Sequence, residues 1–209
     1  MEYSNHFLGY LELGEDLFFD KVPKDEISKY VERALSVGKE TAAQLEIASI
    51  TQHLEQAGIA CEVKEDDGAF FRVKFRAQFE YDRRKAQHKI ILYKKSLEEL
   101  AQANQLSYEQ VKEIVLTHEF YHYLELKGTE TISTFEPVTT FNWLGLTRTA
   151  QLVRLSEIAA NAFTKALLKL DNLPNVLDYR YMLKGGLISK QMLESKYEEF
   201  EQVFGLKSS

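Results

Sequence analysis

The sequence predicts an α+β fold in which helices flank a small, mainly antiparallel sheet. Apolar residues recur at helical spacing before residue 57 and again after residue 95, whereas residues 59–93 alternate between apolar and polar with the period of a β-strand. A chain of 209 residues can bury one sizeable core but is short for two domains. We therefore expect a single domain: an N-terminal arm and helix over 1–38, a main region over 39–170, and a C-terminal helical extension over 171–209 packed on the same domain.

Composition narrows the classes of function. Hydrophobic residues make up 44% of the chain and charged residues 28%, as in ordinary soluble globular proteins. The net charge of −6 offers no basic surface for nucleic acid, so we expect no direct nucleic-acid partner. The single cysteine excludes a disulfide framework and a cysteine-based zinc site. Without a signal-peptide pattern or a span-length apolar stretch, the sequence predicts a cytoplasmic protein with no membrane partner.

The first quarter of the chain has helical patterns. Residues 1–22 mix aromatic and acidic side chains, which fits either a short helix lying on the body or a loosely held arm. A helix is expected from Pro23, interrupted by Gly38, and a second from about Lys39 to Gln56. Gly58 lies just past the second helix, where glycine commonly ends helices.

The next segment predicts three strands, over Ile59–Lys64, Phe71–Tyr81 and Lys89–Tyr93. Asp66-Asp67-Gly68 supplies the turn between the first two. The second strand shows the clearest period-two alternation in the chain, with one apolar face. Its edge is a candidate to pair with an extended peptide.

Four further helices are predicted, over Ser96–Asn104, Ser107–Lys127, Thr147–Leu170 and Ser189–Phe204. Residues 129–146, between the second and third of these, predict a long irregular segment. Two roles remain open for it with equal weight. It is a wall or lid of a site, since loops of this length are often functional, or it is a loop packed over the core by Phe135, Phe141 and Trp143.

The helix over Ser107–Lys127 carries the motif H-E-x-x-H, as His118-Glu119-Phe120-Tyr121-His122. Histidines at i and i+4 lie one turn apart on one helix face, so both imidazoles can reach one metal ion. Glu119 lies at the neighbouring edge of that face, where its carboxylate can hydrogen-bond a water held by the metal. Zn²⁺ and a general base placed in this way make a nucleophile from water. The alternative is a pair of surface histidines bonded to nearby carboxylates.

A zinc site also needs a third protein ligand, from a separate element. Glu125 does not qualify, because His118, His122 and Glu125 extend along almost two turns, about 10 Å of rise. The strongest candidate is Glu157, because it lies in an apolar helical run where burying an unpaired carboxylate is costly. Asn161, one turn on, is placed to hold the ring nitrogen of a ligand histidine. The alternative is that Glu157 is an ordinary exposed helix acid. Weaker candidates, in loops or past a helix end, are Glu130, Glu136 and Asp171.

At these residues the chain resembles the ImmA/IrrE family of zinc metallo-endopeptidases. In that family the H-E-x-x-H box is followed on a later helix by E-x-x-A-N-x-F, which stands here as Glu157, Ala160, Asn161 and Phe163. The resemblance covers roughly residues 40–170. The chain departs from the family pattern at Tyr121, where glycine usually precedes the second histidine, and at Thr164, where a smaller residue usually follows the phenylalanine.

The resemblance implies a zincin-like, gluzincin-type domain in which His118, His122 and Glu157 bind Zn²⁺ and Glu119 is the general base. It also implies a zinc-dependent endopeptidase that cuts a cytoplasmic protein, a transcriptional repressor being one candidate substrate. The competing hypothesis is a non-catalytic regulatory protein of the same fold that acts by binding a partner. The intact Glu119 counts against this hypothesis, because binding alone requires no general base.

Overall fold

A computed structural model describes residues 3–45, 49–70, 73–82, 87–128, 137–144 and 146–206. Over these residues the chain forms eight α-helices, a three-stranded mixed sheet and two short hairpins, which confirms the predicted α+β class. Its packing divides it into two compact units, Leu45–Lys127 and the combination of Met1–Gln44 with Gly128–Ser209. Among the described helices, none combines the length and apolar character that crossing a membrane requires.

In chain order the elements are α1 Asn5–Leu13, α2 Ile27–Ala43, α3 Ile50–Gln56, β1 Ala60–Lys64, β2 Ala69–Phe70, β3 Val73–Lys74, β4 Ala77–Asp82, β5 Gln87–Tyr93, α4 Lys94–Asn104, α5 Tyr108–Lys127, β6 Val138–Trp143, β7 Leu146–Ala150, α6 Arg154–Leu168, α7 Val176–Lys184 and α8 Lys190–Val203. The predicted end of a helix near Gly58 is confirmed, with that glycine at φ +66°. The last helix was also predicted correctly, and Ser189 caps it by accepting from the amide of Met192 at 3.0 Å. The short helix α7 was not predicted.

The three-stranded sheet has the order β1-β5-β4, with β5 parallel to β1 and antiparallel to β4. It is therefore mixed, and the prediction of a mainly antiparallel sheet is wrong for this reason. The central position of β5 follows from its buried run Ile90-Ile91-Leu92, which suits a strand paired on both edges and covered on both faces. Lys89 links both neighbours, since its Nζ lies 2.8 Å from Glu80 Oε1 and 3.6 Å from Glu62 Oε2.

The long strand predicted over Phe71–Tyr81 is two pieces in the structure. β3 pairs with β2 in a hairpin, and β4 pairs with β5. Between them the amide of Phe75 donates to the carbonyl of Gly68 at 3.0 Å, and the Arg76 guanidinium donates to Ser96 O and Oγ at 2.9 and 2.8 Å. These bonds take the chain out of the ladder even though its alternation continues. Residues 71 and 72 lie outside the described part of the chain.

In the unit that contains both termini, α2 and α6 pack closely against each other. Gly38, predicted to interrupt the helix, lies inside α2, so that prediction is wrong. A Cβ at this glycine would lie 2.1 Å from the carbonyl oxygen of Ala159 and 2.8 Å from the amide nitrogen of Phe163, both in α6. The missing side chain therefore allows close helix packing rather than a break. The second predicted helix, Lys39–Gln56, is divided between the end of α2 and α3, and residues 46–48 are not described.

The N-terminal segment is a packed helix, as one of the two alternatives predicted. Ser4 caps α1, its Oγ accepting from the amide of Phe7 at 3.2 Å. Phe7, Leu8 and Leu13 are fully buried, and the Phe7 ring centroid lies 5.3 Å from that of Phe200 in α8.

The segment 129–146 is not irregular throughout, because β6 and β7 form an antiparallel hairpin. Threonines at 139, 147 and 149 suit these strands, since β-branched residues fit a pleated surface. For the same reason the helix predicted from Thr147 begins seven residues later, at Arg154. Phe141 is exposed rather than packed over a core. Phe135 and the side chain of Trp143 lie outside the described residues.

Candidate metal centre

Helix α5 forms as the sequence predicts, and its start is fixed by a capping box. The Ser107 Oγ accepts from the amide of Gln110 at 3.2 Å, and the Gln110 Oε1 accepts from the amide of Ser107 at 2.9 Å. The helix runs to Lys127, which leaves a basic side chain in its last turn. The H-E-x-x-H motif therefore lies deep in a well-delimited helix, where both histidines share a face.

Burial differs among the five residues of the H-E-x-x-H motif. Phe120 and Tyr121 are buried, whereas His118, Glu119 and His122 are half-buried. The Phe120 ring stacks on His53 of α3, with centroids 5.5 Å apart. The helix thus turns Phe120 and Tyr121 into the core and leaves His118, Glu119 and His122 partly exposed.

The two histidines are spaced for one metal ion. His118 Nε2 and His122 Nε2 lie 3.3 Å apart, and their ring planes are inclined by 72°. Two nitrogens bound to one tetrahedral zinc at its usual bond length would lie about 3.3 Å apart. The donor separation matches that value without rearrangement.

Glu125 lies on the far side of His122 from this pair of nitrogens. Its Oε2 is 3.7 Å from His122 Nδ1, and its side chain is 10% exposed. This separation is longer than a hydrogen bond, but the carboxylate lies on the side of the ring where the positioning partner of a ligand histidine is usually found. Glu125 was excluded above as a metal ligand, but its i+3 spacing from His122 is a sequence signal for this contact that was missed.

Tyr121 departs from the family pattern, and it is packed inside rather than placed in an open cleft. Its side chain is buried, and this burial, followed by the negative charge of Glu125, holds the pKa of its hydroxyl well above the usual value. The phenol is therefore neutral at physiological pH.

Glu157 lies in the first turn of α6, where a carboxylate is favourable at the positive end of the helix dipole. It is half-buried, and it is followed by the buried residues 158–164. Asn161 is also buried, and its Nδ2 donates to the main-chain oxygen of Glu157 at 2.9 Å. This bond is local to α6.

The start of α6 is capped from a distant part of the chain. Val153, at the N-cap position, makes no side-chain capping bond. Instead, Asp16 Oδ2 accepts from the amide of Arg154 at 3.0 Å, and the Arg154 guanidinium binds Glu12 Oε1 at 3.0 Å. The roles of Asp16 and Glu12 were not predicted, because no local sequence pattern connects residues so far apart in the chain.

The structure brings three of the predicted site residues together. One ligand atom from each of His118, His122 and Glu157 lies within 4.8 Å of the others, so this group could hold a metal ion. Two imidazoles and one carboxylate form a donor set that zinc commonly uses. Of the weaker candidates, Glu130 and Glu136 lie outside the described residues, and the main-chain oxygen of Asp171 accepts a bond from Lys165.

Comparisons with protein-family models, with curated proteins and with solved structures gave no significant match for this chain. The zincin-like fold and the resemblance to the ImmA/IrrE family remain predictions from the sequence. The function proposed next therefore rests on the three converging side chains and on the motif that contains two of them.

Proposed function

We propose that this protein is a zinc-dependent endopeptidase in which His118, His122 and Glu157 hold the metal. The observation that carries the proposal is the convergence of these three side chains, with Glu119 directly following the first of them. Two histidines and a glutamate are three protein ligands, a number that leaves one zinc position open for chemistry, whereas structural sites use four.

Zinc held there would supply Lewis acidity and lower the pKa of water at the site to near 7. Glu119 would take the proton of the attacking water and deliver it to the leaving amine nitrogen. Glu125, beside His122 Nδ1, would keep that ring turned so that its Nε2 faces His118. The carboxylates of Glu119 and Glu125 thus have separate tasks, proton transfer and ligand orientation.

A peptide substrate is supported by the sheet beside α5. Strand β4 lies at an edge of the three-stranded sheet, and it packs against α5, with the Phe79 and Tyr123 ring centroids 6.3 Å apart. An extended peptide can add to such an edge through main-chain hydrogen bonds. We propose a protein substrate in the cytoplasm; a transcriptional repressor is the candidate that the family resemblance suggests.

The experiment compares wild type, Glu119→Gln and Glu113→Gln, each loaded with one equivalent of zinc. Glu113 is an exposed acid on the same helix, so Glu113→Gln is the matched control. Each protein is incubated with a lysate of the source cells, and newly formed protein N-termini are identified by mass spectrometry. Wild type and Glu113→Gln are expected to generate the same new termini, with loss on addition of a chelator.

Glu119→Gln should keep its zinc and lose about 10²–10⁴-fold in cleavage rate, the usual contribution of a general base. Cleavage by Glu119→Gln at the wild-type rate would refute the assigned mechanism. Zinc-loaded wild type that produces no new terminus would favour the non-catalytic binding hypothesis.

A further inference from the structure

A cavity lies in the unit that contains both chain termini, and none of the three candidate metal ligands lines it. It has a volume of about 560 Å³ and lies among α1, α2 and α6. This size suits a small organic molecule. Its apolar lining, called the floor below, is formed by Leu35, Ala162, Ala166, Leu170 and Leu173.

Lysines outnumber acids among the side chains that line this cavity. The lysines are Lys39, Lys165 and Lys169, the one acid is Glu32, and the other polar lining residues are Asn5, His6 and Ser36. This local excess of positive charge contrasts with the net charge of −6 of the whole chain. Three cationic side chains beside an apolar lining, with a single acid among them, attract a ligand of opposite charge.

Lys165 is held in a fixed position by neutral acceptors. Its Nζ donates to Asn5 Oδ1 at 2.9 Å and to the main-chain oxygen of Asp171 at 2.6 Å. A lysine ammonium has three N–H donors, so these two bonds leave one for a ligand. Because neither acceptor is charged, they position the ammonium without neutralising it.

The end of α6 completes the cavity. Lys169 adopts a left-handed conformation with φ +54°, which ends the helix, and the amide of Leu170 then donates to the carbonyl of Lys165 at 3.0 Å. This turn lets the lysine side chain line the cavity while Leu170 contributes to its floor.

We propose that this cavity binds a small amphipathic anion, with a carboxylate or phosphate head at Lys165 and an apolar body over the floor. The two lysines on exposed positions, Lys39 and Lys169, add long-range attraction for the head group. The site is separate from the metal ligands and does not depend on the proposed peptidase activity.

The test uses decanoate and decyl phosphate as probes, with titration followed by calorimetry on the full chain. Acetate and inorganic phosphate represent the head groups alone, and octyl glucoside represents a neutral amphiphile. At least one of the two decyl anions should bind saturably at one site. The head groups alone and the neutral amphiphile should bind at least tenfold more weakly.

The variant Lys39→Gln/Lys169→Gln should raise the dissociation constant about tenfold, since each exposed charge pair contributes up to roughly fivefold. The matched control is Lys24→Gln/Lys29→Gln, which removes two exposed lysines of α2 and the segment before it that do not line the cavity. It should bind within twofold of wild type. Absence of binding to wild type, equal binding of the neutral amphiphile, or equal weakening in the control pair would overturn the proposal.

Discussion

Replacing Gly38 by alanine should destabilise the protein, although alanine is normally the better helix residue. In an open helix the change from glycine to alanine gains about 1 kcal/mol. Here the added methyl would lie 2.1 Å from the carbonyl oxygen of Ala159, and real Cβ atoms essentially never come within 3.0 Å of such a neighbour. The obstructing atoms belong to the α6 backbone, so relief requires moving the whole helix by about 1 Å.

Overpacking of this kind costs about 1–3 kcal/mol and sometimes more. Because backbone has to move, we expect the upper end of that range, and a net loss of about 2 kcal/mol after the gain in helix propensity. For a chain of this length the melting temperature should fall by roughly 4–8 °C. Urea unfolding followed by circular dichroism gives the free energy, and differential scanning calorimetry gives the melting temperature.

Gly9→Ala is the control inside another helix. A Cβ at Gly9 would lie 2.8 Å from Val31 Cγ1, the end of a side chain rather than backbone, so we expect a smaller loss than for Gly38→Ala. Metal affinity gives a second measurement, because Glu157 lies two residues before Ala159 on the helix that has to move. Gly38→Ala with unchanged or increased stability would show that the close approach of α2 and α6 is misplaced.

Two further predictions concern single side chains. Asp16→Ala removes the acceptor for the amides of Arg154 and Phe18, so the free energy of unfolding in urea should fall by about 1–2 kcal/mol, as on loss of a helix cap. Metal binding through Glu157 should weaken as well. The control Asp20→Ala, at an exposed acid nearby, should change neither quantity, and equal effects of the two substitutions would refute the capping role. For His88, burial and then the charge of Lys127 lower the pKa in the folded protein, so the unfolded chain takes up a proton more readily. The free energy of unfolding should therefore be largest above about pH 6.5 and fall as the pH drops below it. In urea titrations at pH 7.5 and 5.5, His88→Phe should reduce this loss of stability between the two pH values, and an unchanged loss would contradict the assignment.

Local chemistry let the sequence predict the helix that carries the box. The capping pair at Ser107 and Gln110, the apolar spacing and the basic last turn all act within a few residues, so they were visible without a structure. The choice of Glu157 also rested on local contrast, a carboxylate in an apolar run. For that reason three ligand candidates on two helices could be named before their convergence was known.

The errors arose where a residue serves a distant partner. A glycine within a helical pattern often indicates a break, as predicted at Gly38. Its actual role is to let α2 pack closely on α6, which lies more than a hundred residues later in the chain. The alternation around Arg76 is typical of one long strand, but the Arg76 guanidinium donates to Ser96 in the first turn of α4, and the strand is interrupted there. The parallel pairing of β1 with β5 likewise depends on which strands become neighbours, which alternation within a strand does not encode.

The central claim is that His118, His122 and Glu157 bind one metal ion together. The most direct measurement is zinc affinity by competition with a chromophoric chelator, with stoichiometry by mass spectrometry, for wild type, Glu157→Ala and the control Glu113→Ala. Wild type and the control should each hold one zinc per chain with equal affinity, and Glu157→Ala should lose at least about a hundredfold while its far-ultraviolet circular dichroism is retained. Wild-type affinity in Glu157→Ala, or no zinc bound by wild type, would contradict the account.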